Sequence, residues 1–213
     1  GGVQLVKGVF QEILDRLNEK NAYKPRAFDT EAMKIVTEEL CLDAGVKLLY
    51  HSFLADCTVE DGKIKNIRVA TKDGLKTFTA KMYVDSTGDG DLAYFAGVPT
   101  KKGRDEDGHC QPMTMNFRMA NVDQSKRPPV QEMTRLYVEA KKAGKIKCPR
   151  ENVLIFSTLQ DDVIHFNQTR VVMHDAVDPE SLTDAEIEAR RQVWEIALWL
   201  IREVPGFENA YLQ

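Results

Sequence analysis

Apolar residues recur at Val9, Phe10, Ile13, Leu14 and Leu17, while Gln11, Glu12, Asp15 and Arg16 take the opposite side. That spacing predicts an opening helix with one buried stripe. Asn18 to Arg26 is polar, and Lys24-Pro25 disfavours helix there, so the segment reads as a connector. A second helix starts at Asp29 or Thr30, either of which can cap it. Its stripe runs Met33, Val36, Leu40, Cys41 and Ala44, and Gly45 marks the stop. Val46 to Tyr50 is short and mostly apolar, the pattern of a buried strand.

The pattern then changes period. Two Asp-Gly pairs, Asp61-Gly62 and Asp73-Gly74, supply the positive φ angles of tight hairpin turns. Between and around them lie strand-like runs, Phe53 to Val59, Ile64 to Ala70 and Leu75 to Val84. They predict a three-stranded antiparallel meander whose last strand runs into Asp85. From Ala96 to Gly108 the composition turns to Gly, Pro and charge, a candidate boundary. Beyond it Met113 to Ala120 reads as a strand and Val130 to Ala143 as a helix. Val153 to Thr158 and Val163 to Val172 read as a hairpin joined at Gln160-Asp161-Asp162. In the final helix Thr183 and Glu186 form a capping box. Its apolar face is Val193, Ala197, Leu200, Ile201 and Val204, and Pro205-Gly206 ends it.

Composition narrows the function classes. The 213 residues carry 29 basic and 33 acidic side chains, a net charge of −4, with 43% hydrophobic residues. No basic stripe is present for phosphate neutralisation, which argues against nucleic acid as a partner. No apolar run approaches the roughly 18 residues of a membrane span. The start, Gly1-Gly2-Val3-Gln4-Leu5-Val6-Lys7, lacks a charged-then-apolar signal pattern, so the expected compartment is cytoplasmic. Cys41, Cys57, Cys110 and Cys148 are scattered, without a Cys-x-x-Cys pair or a histidine at ligand spacing. Zinc and a complete iron–sulfur cluster motif are therefore unsupported, and no metal site is expected.

One stretch carries chemistry. At Met82 to Ala93 an apolar strand ends, a turn of small residues follows, and a short helix begins at Leu92. Glycines let a ligand approach the backbone, and exposed amides there attract phosphate or ribityl oxygens. The same run echoes a calcium loop, although Thr87 and Ala96 stand where that loop wants Asp or Asn and Glu. A purely structural turn would share its composition.

The run Val84 to Pro99, with Gly103 to Gly108 and Gln111-Pro112-Met113-Thr114, resembles the FAD-dependent oxidoreductase family. This is the branch of glutathione-reductase-like flavoproteins that includes relatives of the heterodisulfide reductase flavoprotein. Asp178-Pro179-Glu180-Ser181-Leu182-Thr183, Glu186, Arg190-Arg191 and Pro205-Gly206-Phe207 are similar to it too. The resemblance implies an α+β or α/β fold: an antiparallel meander remnant of an FAD-binding domain, within 1–100, and a mixed-sheet substrate domain with flanking helices, within 101–213. It implies FAD as cofactor, a small-molecule substrate, and Ser86, Thr87, Gly88, Asp89 and Gly90 as cofactor-lining positions. On the strand Val163 to Val172, His165, Asn167 and Arg170 are the candidates to face substrate. The function expected is electron transfer between a substrate and flavin. The alternative is a non-catalytic binding module that keeps the meander without cofactor.

The family opens with a Gly-x-Gly-x-x-Gly turn and an acidic ribose partner. Neither is present, and Gly1-Gly2 is the one glycine pair at the start, so the chain reads as an internal fragment. Exposed apolar surface near Val46–Tyr50 would then favour self-association. Ordering a dinucleotide costs several kcal/mol, and a few hydrogen bonds at about 0.5–1.5 kcal/mol net each do not offset that. These 213 residues are therefore expected to fold yet purify colourless. Absorbance spectroscopy checks this, and a flavin band near one cofactor per chain is the contrary result.

Overall fold

The computed structural model describes residues 5–213, so the opening Gly1-Gly2 pair lies outside it. Two compact units are present, one of Gly1–Leu40 with Cys110–Gln213 and one of Cys41–His109. Compactness thus groups the first helices with the C-terminal half of the chain. Helices and antiparallel sheets together make this a mixed α+β fold.

The first unit holds helix α1 (Val9–Glu19) and most of helix α2 (Thr30–Asp43), whose residues from Cys41 on belong to the second. Leu17, Ala22 and Val36 form their shared core. The stretch expected to be a plain connector folds into a small hairpin, β1 (Tyr23–Lys24) against β2 (Ala27–Phe28). Pro25 pre-sets one turn angle and Arg26 takes φ 73°, a turn-chemistry signal that the polar composition concealed. Asp29 caps α2, its Oδ1 accepting from the N–H groups of Glu31 and Ala32, both at 2.9 Å.

The rest of this unit is one sheet with helices on one face. Its strands are β6 (Phe117–Ala120), β7 (Ile155–Ser157), β8 (Ile164–Phe166) and β9 (Tyr211–Leu212), in the order β7-β8-β6-β9. Every neighbouring pair is antiparallel, which corrects the expected mixed sheet. A tight turn joins β7 to β8 and forces them antiparallel, and β8 inserts beside β6 and so separates β6 from β7. The helices α4 (Val130–Lys142) and α5 (Pro179–Glu203) supply Met133, Tyr137, Ile196 and Leu200 to the core beneath Phe117, Met119, Ile164 and Phe166. Phe166 stacks on Phe117 with ring centroids 5.0 Å apart and meets Phe207 edge-on at 6.1 Å. Trp199 joins this core, whereas Trp194 is exposed.

Two expectations here need correction. The strand predicted over Val163 to Val172 stops at Phe166, and the one predicted from Met113 begins only at Phe117. Side chains take over the ladder beyond those points. Gln168 accepts from Leu154 N–H at 2.8 Å and donates to Asn152 carbonyl at 2.9 Å. Thr169 Oγ1 accepts from Met115 N–H at 2.7 Å and donates to its carbonyl at 3.0 Å. Both residues are buried, so these bonds satisfy groups that could not reach water. The last helix also starts earlier than Thr183. Asp178 is its cap, accepting from Ser181 N–H at 2.7 Å, with Pro179 at the first helical position. Thr183 instead donates to the Pro179 carbonyl, and Glu186 pairs with Arg190.

In the second unit the meander is present as β3 (Phe53–Glu60), β4 (Lys63–Thr71) and β5 (Gly74–Phe78). Asp61 and Gly62 form the first turn with φ 50° and 69°, the mirror-image turn that hairpin twist favours. In the second, Thr71 pairs with Gly74, so Lys72-Asp73 are the turn residues. The third strand ends at Phe78, six residues short of the expected Val84. Val46 to Tyr50, expected as a buried strand, pairs with no strand among the described residues, and Val46, Leu49 and Tyr50 are exposed. A strand needs a neighbour's backbone, which an apolar run alone does not supply. No described helix is long and apolar enough to cross a membrane.

Gly206 shows how tightly the first unit is closed. Its φ is +87°, and a Cβ there would lie 2.6 Å from Asp123 carbonyl oxygen and 2.9 Å from Arg127 nitrogen. Gly144, at φ +74°, has open space instead. Gly206→Ala should lower unfolding stability by more than about 2 kcal/mol and Gly144→Ala by about 1 kcal/mol, read from urea titration. Equal losses would mean that the contact with Asp123 and Arg127 has no consequence.

Candidate functional site

In the second unit the candidate turn lies between the meander and a short helix, α3 (Asp91–Phe95). Beyond Phe78 the chain leaves the ladder, and a side chain holds it. Tyr83 hydroxyl accepts from Ala80 N–H at 2.9 Å and donates to Lys65 carbonyl on β4 at 3.0 Å. Asp85 then organises the turn. Its Oδ1 accepts from Thr87 N–H at 3.0 Å and Thr87 Oγ1 at 2.7 Å, and its Oδ2 accepts from Ala93 N–H at 3.0 Å. Thr87 Oγ1 also accepts from Asp91 N–H at 2.7 Å. Gly90 takes φ 73° and ψ 38°, a left-handed conformation that glycine adopts without strain.

These bonds leave a particular edge outward. The N–H groups of Gly88 and Asp89 find no acceptor among the described residues, while a turn at 88–89 brings Gly90 back towards Thr87. Ser86, Gly88 and Asp89 are exposed, and a Cβ on Gly88 would meet nothing within 4 Å. The turn is thus held by bonds of its own, with the Gly88 and Asp89 amides free and an open approach to its backbone. The Thr87 hydroxyl, followed by the amides of Ala93 and Thr87, holds the Asp85 carboxyl below its ordinary pKa. Sequence reasoning passed over Asp85 as a site residue, although an Asp two residues before Thr is an Asx-turn signal.

In the first unit the sheet presents a second arrangement on the face away from its helices. Cross-strand register places Phe156, His165 and Arg118 in one row over β7, β8 and β6. Gln213 continues it, donating from its backbone N–H to Arg118 carbonyl at 2.9 Å. Phe156 and His165 rings lie 6.0 Å apart between centroids. The row borders a groove of about 330 Å³ shared with Arg26, Phe28 and Thr30. Arg118 Nη2 donates to Thr30 Oγ1 at 3.3 Å. Burial, and then the Arg118 charge, push the His165 pKa below the ordinary imidazole value, so the ring is neutral near pH 7.

The other sequence candidates fall elsewhere. Asn167 lies one residue past β8, donates its N–H to Leu154 carbonyl at 3.0 Å, and keeps a buried Oδ1 without a partner among the described residues. Arg170 is clamped through its backbone by buried Gln192, and its guanidinium reaches Glu151 at 3.4 Å. The structure therefore places His165 on the groove, without Asn167 or Arg170 on its lining. Arg118 is the residue that sequence reasoning missed. Its signal was one charge in the apolar strand Phe117–Ala120, meaningful only once register sets it beside His165. Among the described residues no three His, Cys, Asp or Glu side chains gather to hold a metal ion.

A family profile described as FAD dependent oxidoreductase matches residues 2–213. No curated protein and no solved structure matches the chain.

Asp85 has a depressed pKa when folded, so its contribution to the turn is present above about pH 3.9 and lost as pH falls through the folded value. Asp85→Asn should speed hydrogen exchange at the Thr87 and Ala93 amides at neutral pH, measured by NMR. Wild type should approach the same rates, corrected for intrinsic pH dependence, only in acid. Unchanged protection in the variant would remove Asp85 as the organiser.

Proposed function

The chain belongs to the FAD dependent oxidoreductase family, and from that membership we propose that it serves a flavin enzyme passing electrons between a small-molecule substrate and FAD. In this reading the part within 1–100 contributes to cofactor binding and the part within 101–213 to substrate binding. The observation that carries it is the turn pinned by Asp85, with its free amide donors and its bare Gly88.

Ser86, Thr87, Gly88, Asp89 and Gly90 would hold one edge of the cofactor. The donor set fits: amides and a hydroxyl suit the oxygens of a polyol chain or a pyrimidine ring, and no side chain at Gly88 stands in the way. Bound FAD supplies the ring that takes up and returns an electron pair. The chain supplies position. Asp85 and Thr87 keep the loop closed before any ligand arrives, so little ordering cost falls on binding. On the substrate side, neutral His165 can accept or donate a proton at a ring nitrogen, beside the fixed positive charge of Arg118.

Gly88→Val tests the cofactor half of this reading. The added side chain points into open space, so the meander's melting temperature should stay within about 1 °C of wild type while flavin per chain falls severalfold in the full-length protein. Absorbance on purified protein gives the ratio. Unaltered flavin content would take Gly88 off the site, and a colourless full-length protein unable to take up FAD would favour the binding-module alternative.

A further inference from the structure

We propose that the groove beside β6 and β8 binds the carboxylate of a small substrate with an apolar body, and that Arg118 is its anchor. This rests on the reading that the part within 101–213 holds substrate, with residues 26–30 of the same compact unit completing the groove.

Arg118 is a half-buried cation with no carboxylate partner among the described residues, its one side-chain bond going to the neutral hydroxyl of Thr30. Other arginines do find carboxylates, Arg135 on α4 with Glu132 and Glu139, and Arg170 with Glu151. Withdrawing a guanidinium from water without a counter-charge is unfavourable, and a bound anion relieves that cost. Its planar fork matches a carboxylate with two parallel bonds, and the bond to Thr30 uses only one of its five donors.

The lining as a whole keeps a positive excess, two arginines against one carboxylate. Arg26 lines the same groove and forms no ion pair among the described residues. The one acid there, Asp29, already has Oδ1 engaged by two amides of α2. His165 is neutral and therefore neither repels nor replaces the anion, and it has a ring N–H to offer. Phe156 and Phe28 are 48% and 45% exposed, which gives the groove two apolar walls. A volume of about 330 Å³ suits a ligand of small-metabolite size. A carboxylate attached to an aromatic or aliphatic body satisfies both halves of this lining.

The test is an NMR titration of the isotopically labelled full-length protein with benzoate, hexanoate, the neutral isostere benzamide, and inorganic phosphate. Benzoate or hexanoate should shift the His165 ring and Phe156 signals saturably, and benzamide should not. Arg118→Gln should weaken benzoate about tenfold or more, Arg118→Lys less, and Arg135→Gln not at all. Equal binding of benzamide, an unchanged Kd in Arg118→Gln, phosphate binding in place of both carboxylates, or no saturable shift would each overturn the assignment. If Arg118→Gln fails to fold, the contrast of benzoate with benzamide on wild type still decides. Flavin content of the same samples separates the two readings. Loss of flavin with benzoate binding intact strikes the redox reading alone, and flavin retained without carboxylate binding strikes this one alone.

Discussion

The packing of Phe166 between Phe117 and Phe207 governs the first unit. A strand's side chains alternate between faces, so a shift of one residue would exchange the core set for the groove set. With Phe166, Phe117 and Met119 committed to the helices α4 and α5, the intervening positions have no choice. His165 and Arg118 must stand on the other face, beside Phe156. The groove therefore follows from the core, and its polar row is held by apolar contacts that it does not itself make. That is an economical way to keep a cation and an imidazole half-buried, since the cost of their burial is met by a core that needs no adjustment for them.

In the second unit a single carboxylate has the corresponding part. Asp85 gathers three donors from Thr87 and Ala93, and Thr87 passes the restraint on to Asp91. Because the loop's own side chains satisfy these groups, the amides of Gly88 and Asp89 remain without an acceptor among the described residues. A loop of five small or polar residues would otherwise sample many conformations. The Asp-x-Thr pattern removes that freedom in advance, which is what a cofactor-lining turn requires. Charged residues are usually read as surface, and Asp85 is exposed, yet its bonds are internal.

Where side chains replace backbone in a ladder, strand assignments from sequence go astray. Gln168, Thr169 and Gln192 are buried amides and a hydroxyl that complete the pairing beyond β6 and β8. Tyr83 does the same beyond β5. Each case looks in sequence like a continuing strand with a polar interruption. At each the regular backbone ladder is interrupted and a side chain makes the bonds instead; in the first unit backbone pairing is made once more, between Met113 and Val171.

The features legible in the sequence are those whose partners lie within a few residues. Asp29 capping α2, Asp61-Gly62 turning the meander, Gly45 ending its helix and the stripe of α5 all follow from short-range bonds and helical spacing. The turn at Ser86 to Gly90 was legible for the same reason, together with its resemblance to a flavoprotein family that the profile match bears out. What the chain alone left open was everything set by distant pairing. Val46 to Tyr50 had the composition of a strand and no neighbour to join. The antiparallel order β7-β8-β6-β9 and the placement of Arg118 beside His165 depend on contacts across tens of residues, whereas the hairpin of β1 with β2 is local and was hidden only by its polar composition. Apolar alternation states that a strand has two faces, but only the packed sheet decides which face meets the helices and which is left for a ligand.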